Sequence, residues 1–576
     1  MHLAEIDGGP LDNQSSIFSL IEQGLRKNPH GTAIICTHQP ESHLSDLLEI
    51  IGTPQQSSKN DFGCLALTYS QIHHMAKILA TGMLANGVQP KSIILMMIPN
   101  GGEHCVLLWA CIIMRLTYVC VDPSALDTSK QAVLLNTLKM VKPSLIVVPN
   151  ATGAEVLQTA VVESHLAEPL YISLQGDAPN GWKSLLDFAI DEPKLSLSQD
   201  ELLDAARDDD PNRIHSILFT SGTSGQPKGC PLRAGGMSHV LISQSWLLNG
   251  DNCALALQQA HNSRAIAPAQ MLQTWKEGGA VVASGRGFSV DDMADAIEKY
   301  HVTFIVLSPA MVHSIGQRLA SRPFNVESVR SIQLGGDAVT KDLLIRCAAL
   351  FPCAKICINH GMTEGGGSFK WPFFSTPTSN IPYFGEICPI GTIAPGAVVR
   401  IWDTAEGTVS KRDRPGELHL CSGSLIPHYM DKVSESSFYE DNNGRWFNTC
   451  DIAMIANDGL VYILGRKKDM IKRNGIAVMP AAIESCLEKY VDSQASVVAV
   501  PHPTLGHEPY AVLKSFNGKS EDDIRSHVLY TLGNDYELGG LSLLERIGLQ
   551  EFPVNETHKV KKLEVEAAVW RFLNGN

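Results

Sequence analysis

Residues 217–230 read ILFTSGTSGQPKGC, an apolar run that opens into small hydroxyl and glycine residues and closes on one lysine. The stretch HSILFT (215–220) has the β-branched and aromatic content of a strand, and SGTSGQPKG (221–229) reads as the loop that follows it. Glycines let backbone N–H groups approach an anion, hydroxyls add donors, and lysine supplies a point charge, so the composition points to a phosphate. The order of residues excludes a Walker loop. Counted from Gly222, the second glycine position of G-x-x-x-x-G-K-[ST] holds Pro227, which has no N–H to offer, and the Ser/Thr position holds Gly229.

Working outward, strand-like runs alternate with helical patterns from about 64 to 330. SIILMMIPN (92–100), LIVVPN (145–150), AVVASG (280–285) and VTFIVLSP (302–309) are short and end at turn residues. EHCVLLWACIIM (103–114) and SVDDMADAIEKY (289–300) lie between them as helices, a βαβ alternation that implies largely parallel sheets. Beyond about 385, GELHLCSG and GLVYILG are short strands punctuated by Gly and Pro, as in an antiparallel or barrel-like subdomain. The last hundred residues carry an alternation of their own. The expected fold class is α/β: a large N-terminal domain (1–464) of βαβ sheets with a small β-barrel-like subdomain, then a small mobile α+β C-terminal domain (465–576).

Bulk properties narrow the function. The 576 residues are too many for one ordinary core, 44% are hydrophobic and 18% charged, and the net charge is −14. An acidic chain repels phosphate backbones, so nucleic acid is not an expected partner. The basic runs GRKKDMIKRNG (465–475) and HKVKK (558–562) are short and suit a small anionic ligand. The 14 cysteines include no CxxC pair, which suits a reducing cytoplasm better than a disulfide framework. The N-terminus lacks signal-peptide character, and the longest apolar run, CVLLWACIIM (105–114), is too short to span a bilayer. No G-x-S-x-G elbow supports a serine hydrolase.

TSGTSGQPKG (220–229) resembles the signature loop of the adenylate-forming (AMP-binding) superfamily, which includes acyl- and aryl-CoA synthetases, firefly luciferase and the adenylation domains of nonribosomal peptide synthetases. The family's other segments follow in order: LTYSQI (67–72), YVCVDP (118–123), LGGDAV (334–339), INHGMTEGGG (358–367), GELHLCSG (416–423), WFNTCDIA (446–453), GRKKDMIKRNG (465–475) and FPVNETHKVKK (552–562). The resemblance covers roughly residues 15–570. It implies attack of a carboxylate on the α-phosphate of ATP, giving acyl-AMP and pyrophosphate, then transfer of the acyl group to the thiol of coenzyme A.

By resemblance, Thr220, Ser221, Gly222, Thr223 and Lys228 grip the β- and γ-phosphates, and Gly336, Asp337 and Ala338 line the adenine. His360 stands where the family usually has tyrosine, and an imidazole can still stack on a purine. Thr363 faces the α-phosphate and Glu364 holds Mg2+ through a hard oxygen ligand. Asp451 and Arg466 take the ribose. The family writes T-G-D at the first of these, whereas this chain has Thr449, Cys450 and Asp451, losing the permissive glycine. Lys559, preceded by His558 rather than glycine, reaches the acyl phosphate. Lys468 is the hinge about which the small domain turns between the two half-reactions.

Amino-acid-activating relatives carry an aspartate for the substrate ammonium. The matching segment here, LQQAHNSRAIAPA (257–269), has no acid, so the expected substrate is a carboxylic acid without a free α-amine. Arg264 either pairs with a second carboxylate of the substrate or faces solvent. DYELGGLSLLE (535–545) resembles a phosphopantetheine attachment motif at Ser542, but the segment bearing Lys559 begins too soon after it for a carrier domain. Three alternatives stay open: an acyl-AMP ligase that loads a phosphopantetheine thiol on a carrier protein or synthase, a luciferase-like oxidation, and a non-catalytic binding relative. The atypical motif spellings point towards secondary metabolism.

Overall fold

A computed structural model describes residues 2–12, 15–52, 62–175, 179–190, 198–221, 227–248, 254–285, 287–430, 437–442, 444–474, 476–555 and 559–575. Two sheets dominate the N-terminal domain. The first has six strands in the order Leu170–Ser173, Leu145–Val148, Ile93–Met96, Thr117–Cys120, Ile214–Ser221 and Pro227–Arg233. All of its pairings are parallel except the last, an antiparallel hairpin. The second has seven strands in the order Lys355–Asn359, Ser331–Gly335, Phe304–Leu307, Leu255–Gln258, Ala280–Ala283, Thr32–Cys36 and Leu65–Thr68. It too is parallel apart from its final pair. The βαβ expectation therefore holds for both.

Between the sheets lies a helical layer. Gly102–Met114 is buried on every side, which explains why its sequence shows no polar face. Trp109 from this helix meets Trp275 of the helix Ile266–Glu277 with ring centroids 5.8 Å apart. The Trp275 indole N–H donates to the Ala33 carbonyl at 2.9 Å, tying the layer to the second sheet. The neighbouring helix Tyr69–Ala85 starts with a reciprocal capping box between Thr68 and Gln71, the LTYSQ sequence supplying both partners. Burying large side chains such as these stabilises by about 1.5–3 kcal/mol each.

After residue 390 the chain supplies six strands of a seven-stranded sheet, the N-terminal strand Glu5–Asp7 adding the seventh along Ala397–Asp403; its pairings are all antiparallel, with Ala397–Asp403, Gly416–Ser422 and Gly444–Ile455 at its centre. Its strand Val461–Arg466 hands over to the smaller C-terminal domain. That domain has a five-stranded sheet, in which Ile476–Val478, Ile471–Arg473, Gly506–Leu513 and Ala495–His502 follow in order and Gly540–Leu543 pairs in parallel with Gly506–Leu513, and the helices Pro480–Val491, Glu521–Leu532 and Lys562–Leu573. It docks on the N-terminal domain through Arg346–Asp492 (2.8 Å) and His313–Glu488 (3.3 Å). Ser542 lies within the strand Gly540–Leu543 and is 1% exposed, so it cannot accept a prosthetic group as a carrier serine must. No described helix is long and apolar enough to cross a membrane.

Candidate active site

The 217–230 stretch departs from a plain strand-then-loop reading. Chain re-enters the sheet at Pro227, so Pro227, Lys228 and Gly229 are strand residues, with Thr220 opposite Lys228 and Ser221 opposite Pro227. Proline is tolerated because it is the first residue of its strand. The two proposed phosphate-gripping positions Thr220 and Lys228 are thus cross-strand partners at the mouth of a hairpin. Gly222 and Thr223 lie outside the described residues. Gly229 is small for a packing reason: a Cβ there would sit 2.9 Å from the Met430 sulfur and 3.1 Å from that of Met140.

Beside the hairpin runs the segment 424–430, held by a hydrogen bond from Met430 N–H to the Gly229 carbonyl at 2.9 Å. This places the Tyr429 ring under Lys228, whose Nζ is 5.1 Å from the ring centroid. The Tyr429 hydroxyl donates to Glu364 Oε1 at 2.6 Å. Burial, reinforced by the Glu364 charge, pushes the phenol well above its ordinary value, so it stays a neutral donor. Lys228 and Glu364 are joined through a tyrosine that no sequence motif singled out. Thr363 and Glu364 occupy a two-residue turn between Met362 and Gly365. Glu364 is fixed further by its carbonyl, which accepts from Ile426 N–H at 2.8 Å.

Across the cleft, Asp451 and Arg466 are cross-strand partners. Arg466 Nε is 3.0 Å from Asp451 Oδ1 and His360 Nε2 is 3.4 Å from Asp451 Oδ2. The latter contact is long, and Oδ2 is buried without a hydrogen-bond partner of good geometry among the described residues. Burial alone would raise the Asp451 carboxyl, but His360, Arg466 and the charge of Lys559 together hold it below its ordinary value. A buried, ionised carboxylate with one unsatisfied oxygen is suited to accept from a ligand hydroxyl. Cys450 adopts the left-handed conformation at φ +58°. The bend that glycine would give is kept, pinned by Cys450 N–H donating to Asn448 Oδ1 at 2.8 Å and Asp451 N–H to Thr449 Oγ1 at 3.0 Å.

His360 follows the strand Lys355–Asn359, its ring edge-on to Phe369. Gly336 follows the adjacent strand Ser331–Gly335. Gly336 has φ +90°, and a Cβ built on it would be 3.3 Å from Lys559 Cε. Lys559 is held by a reciprocal pair with Asn555: its N–H donates to Asn555 Oδ1 at 3.0 Å, and its carbonyl accepts from Asn555 N–H at 2.9 Å. Asp337 and Ala338 continue the same bend, Ala338 N–H donating to Asp337 Oδ1 at 2.9 Å. Gly336, His360, Asp451, Arg466 and Lys559, drawn from four distant segments, therefore share one cleft between the two domains.

Lys468 is exposed in the turn 467–469. Its neighbour Lys467 forms an ion pair with Glu417, whose carboxylate is 5% exposed and also accepts from Asn448 at 2.7 Å. Arg264 is half-buried, and burial pulls its guanidinium below the ordinary value, with Asp122 acting in the opposite sense.

A sequence profile described as "AMP-binding enzyme" matches residues 56–430. An acyl-CoA ligase of Pestalotiopsis microspora is 48% identical over 575 residues, 99% of each chain. A 4-coumarate–CoA ligase of Arabidopsis thaliana is 24% identical over 490 residues, 80% of this chain and 81% of that one. Among solved structures, ATP-bound MatB from Rhodopseudomonas palustris superposes with a TM-score of 0.76 at 18% identity, covering 97% of this chain and 99% of the other. At that identity the likeness is one of fold.

Proposed function

Because the chain belongs to the family of AMP-binding enzymes, we propose that it is an AMP-forming acid–CoA ligase in which the cleft between the domains holds ATP. The observation that carries this reading is the convergence of Lys559 from the small domain on Gly336, His360 and the unsatisfied Asp451 carboxylate of the large one. The 48% identical acyl-CoA ligase supports it along the whole chain.

In the first half-reaction a carboxylate oxygen attacks the α-phosphorus of ATP. The bond from that phosphorus to the bridging oxygen breaks, and pyrophosphate leaves in line. Such a step needs charge neutralisation and positioning rather than covalent help from the protein. Lys228 and Thr220 steady the β- and γ-phosphates. Asp451 accepts from the ribose hydroxyls, oriented by Arg466, and His360 stacks on the adenine beside Gly336, Asp337 and Ala338. Lys559 draws the negative carboxylate and α-phosphate together, with Thr363 on the α-phosphate. Glu364 fits Mg2+: one carboxylate, one of its oxygens fixed by Tyr429, is the donor set this ion uses together with phosphate oxygens. When bound, Mg2+ supplies further charge neutralisation on the phosphates.

In the second half-reaction the thiol of coenzyme A attacks the acyl carbonyl and AMP leaves. Lys559 must withdraw, which requires the domain from 465 onward to turn about Lys468. The acid carries no free α-amine: the segment 257–269 offers no carboxylate to meet one.

Hydroxylamine trapping across a panel of acids tests the proposal, with hydroxamate formation and coenzyme A consumption as the expected results. A folded, ATP-binding protein that yields no hydroxamate with any acid would end the ligase reading. Acid-dependent hydroxamate without use of free coenzyme A would move the acceptor to a carrier-protein thiol.

A further inference from the structure

Beside the strand that presents Gly336 is a cavity of ≈ 30 Å³. Gln333 lines it, three residues before Gly336 on the same strand. Gln244 lines it as well, and exchanges hydrogen bonds of 3.2 and 3.4 Å with Asn359, the residue before His360. The cavity therefore abuts the strand that leads to Gly336 and is tied through Gln244 to the residue before His360. The helix Ile266–Glu277 closes it with Gln270, Gln273 and Thr274.

The described wall carries no charged side chain. Most of its polar groups are already satisfied. Gln244 has Asn359, Gln270 Nε2 donates to the Leu257 carbonyl at 3.1 Å, and Thr274 Oγ1 donates to the Gln270 carbonyl at 2.8 Å. Gln273 is different. It is 5% exposed, and neither its Nε2 nor its Oε1 has a hydrogen-bond partner among the described residues. An amide left so costs free energy unless something in the cavity both donates and accepts. The volume is about that of one water molecule, hence also of one hydroxyl group.

Resting on the ligase reading above, we propose that this recess is the far end of the acid-binding pocket, and that Gln273 selects acids bearing a neutral hydroxyl remote from the carboxylate. Its amide N–H donates to the hydroxyl oxygen and its carbonyl accepts the hydroxyl proton. A hydrocarbon end leaves both groups unsatisfied. A second carboxylate or an ammonium would be buried without a counter-charge on the described wall, which disfavours it strongly. Before substrate enters, one water can stand where the hydroxyl goes, so the exchange is between like groups.

The test compares matched acids, ω-hydroxyhexanoic with hexanoic and p-hydroxycinnamic with cinnamic, by calorimetric binding to the full-length protein in the presence of AMP. The wild type is expected to bind the hydroxylated member of at least one pair about tenfold more tightly or better, the size of one buried hydrogen-bonding mismatch. Gln273→Leu, near-equal in volume, should abolish or invert that ratio. Gln273→Met serves as a second variant if the first does not fold, as read by thermal melting. Equal affinities within both pairs (a recess that holds water only), no binding of either hydroxylated acid, or an unchanged ratio in the variants overturns the proposal. The ligase reading fails separately, by absence of hydroxamate while the binding ratio persists.

Discussion

Lys559 of the small domain lies against Gly336 of the large one, so closely that a methyl group on Gly336 would be 3.3 Å from the lysine Cε. The lysine side chain crosses the domain boundary at a backbone position with φ +90°, where a side chain is already disfavoured. On the proposed ligase reading, this contact makes the arrangement the one that serves adenylation. With Lys559 in the cleft, its charge is available to the carboxylate and the α-phosphate. Removing it, as Lys559→Ala, is expected to slow adenylation by about 10²–10³-fold, the usual loss for one preorganised charge donor. Thioester formation from supplied acyl-AMP should be nearly unchanged. Gly336→Ala should also depress adenylation, since backbone strain of about 1–2 kcal/mol adds to crowding of the lysine. Single-turnover assays of each half-reaction separate these outcomes. Equal losses in both steps for Lys559→Ala would be against the assignment.

Tyr429 connects the lysine side of the proposed phosphate site with its carboxylate side. Its hydroxyl donates to Glu364 and its ring lies under Lys228. Tyr429→Phe keeps the ring and deletes the donor, leaving Glu364 free to rotate. A hydrogen bond to a charged group contributes about 1.5–3 kcal/mol, so the apparent Mg2+ requirement is expected to rise by about tenfold or more, with the fold intact. Titration of adenylation rate against Mg2+ reads this directly. An unchanged Mg2+ dependence would separate Tyr429 from the metal site.

Asp451 gives the site a pH dependence of known sign. Its folded value is depressed below the ordinary carboxylate value, net of a burial effect that opposes the shift. Such a group contributes stability that is fully present above its unfolded value of about 3.9 and is lost as pH falls through the lower folded value. Acid unfolding followed by circular dichroism should therefore shift in Asp451→Asn, whose stability falls less steeply over that acid window than the wild type's. Nucleotide binding by the variant should be weakened near neutral pH, where the charge is lost outright.

The turn 467–469 has one anchored lysine and one exposed lysine. Lys467 is paired with the buried Glu417, whereas Lys468 is exposed. If the small domain turns at Lys468, then Lys468→Pro, which fixes φ near −65°, should slow the thioester step by at least tenfold more than adenylation. Lys468→Ala should leave both near the wild-type rate. Equal sensitivity of the two steps to the proline would place the pivot elsewhere in the chain.

The candidate residues of this cleft are readable from residue order, because they sit in short segments whose local geometry the residues themselves dictate. Asp451 and Arg466 are an instance: a strand, a turn and a return strand place them opposite one another. The 217–230 stretch is read correctly as something other than a Walker loop, but its return into the sheet was not visible. Whether Pro227–Gly229 is loop or strand depends on a partner strand, and the pairing of Thr220 with Lys228 is its consequence. The Cys450 substitution shows the same limit. The missing glycine suggested an altered bend, yet Asn448 and Thr449 hold Cys450 at φ +58°.

Tyr429 and Gln273 could not be found in advance. Neither sits in a motif, and each acquires its meaning from residues far away in sequence: Glu364 and Lys228 for the tyrosine, and the cavity shared with Gln244 and Gln333 for the glutamine. The sequence by itself determined the alternation of strands and helices, the side-chain chemistry of residues 217–230 and the identity of the charged groups, since these follow from periodicity, propensity and side-chain type over a few neighbouring residues. Tertiary structure alone decided which charges face one another across the cleft and which buried amide is left without a partner. Burial and pairing are properties of packing between distant segments, and only packing removes the water that would otherwise satisfy every polar group alike.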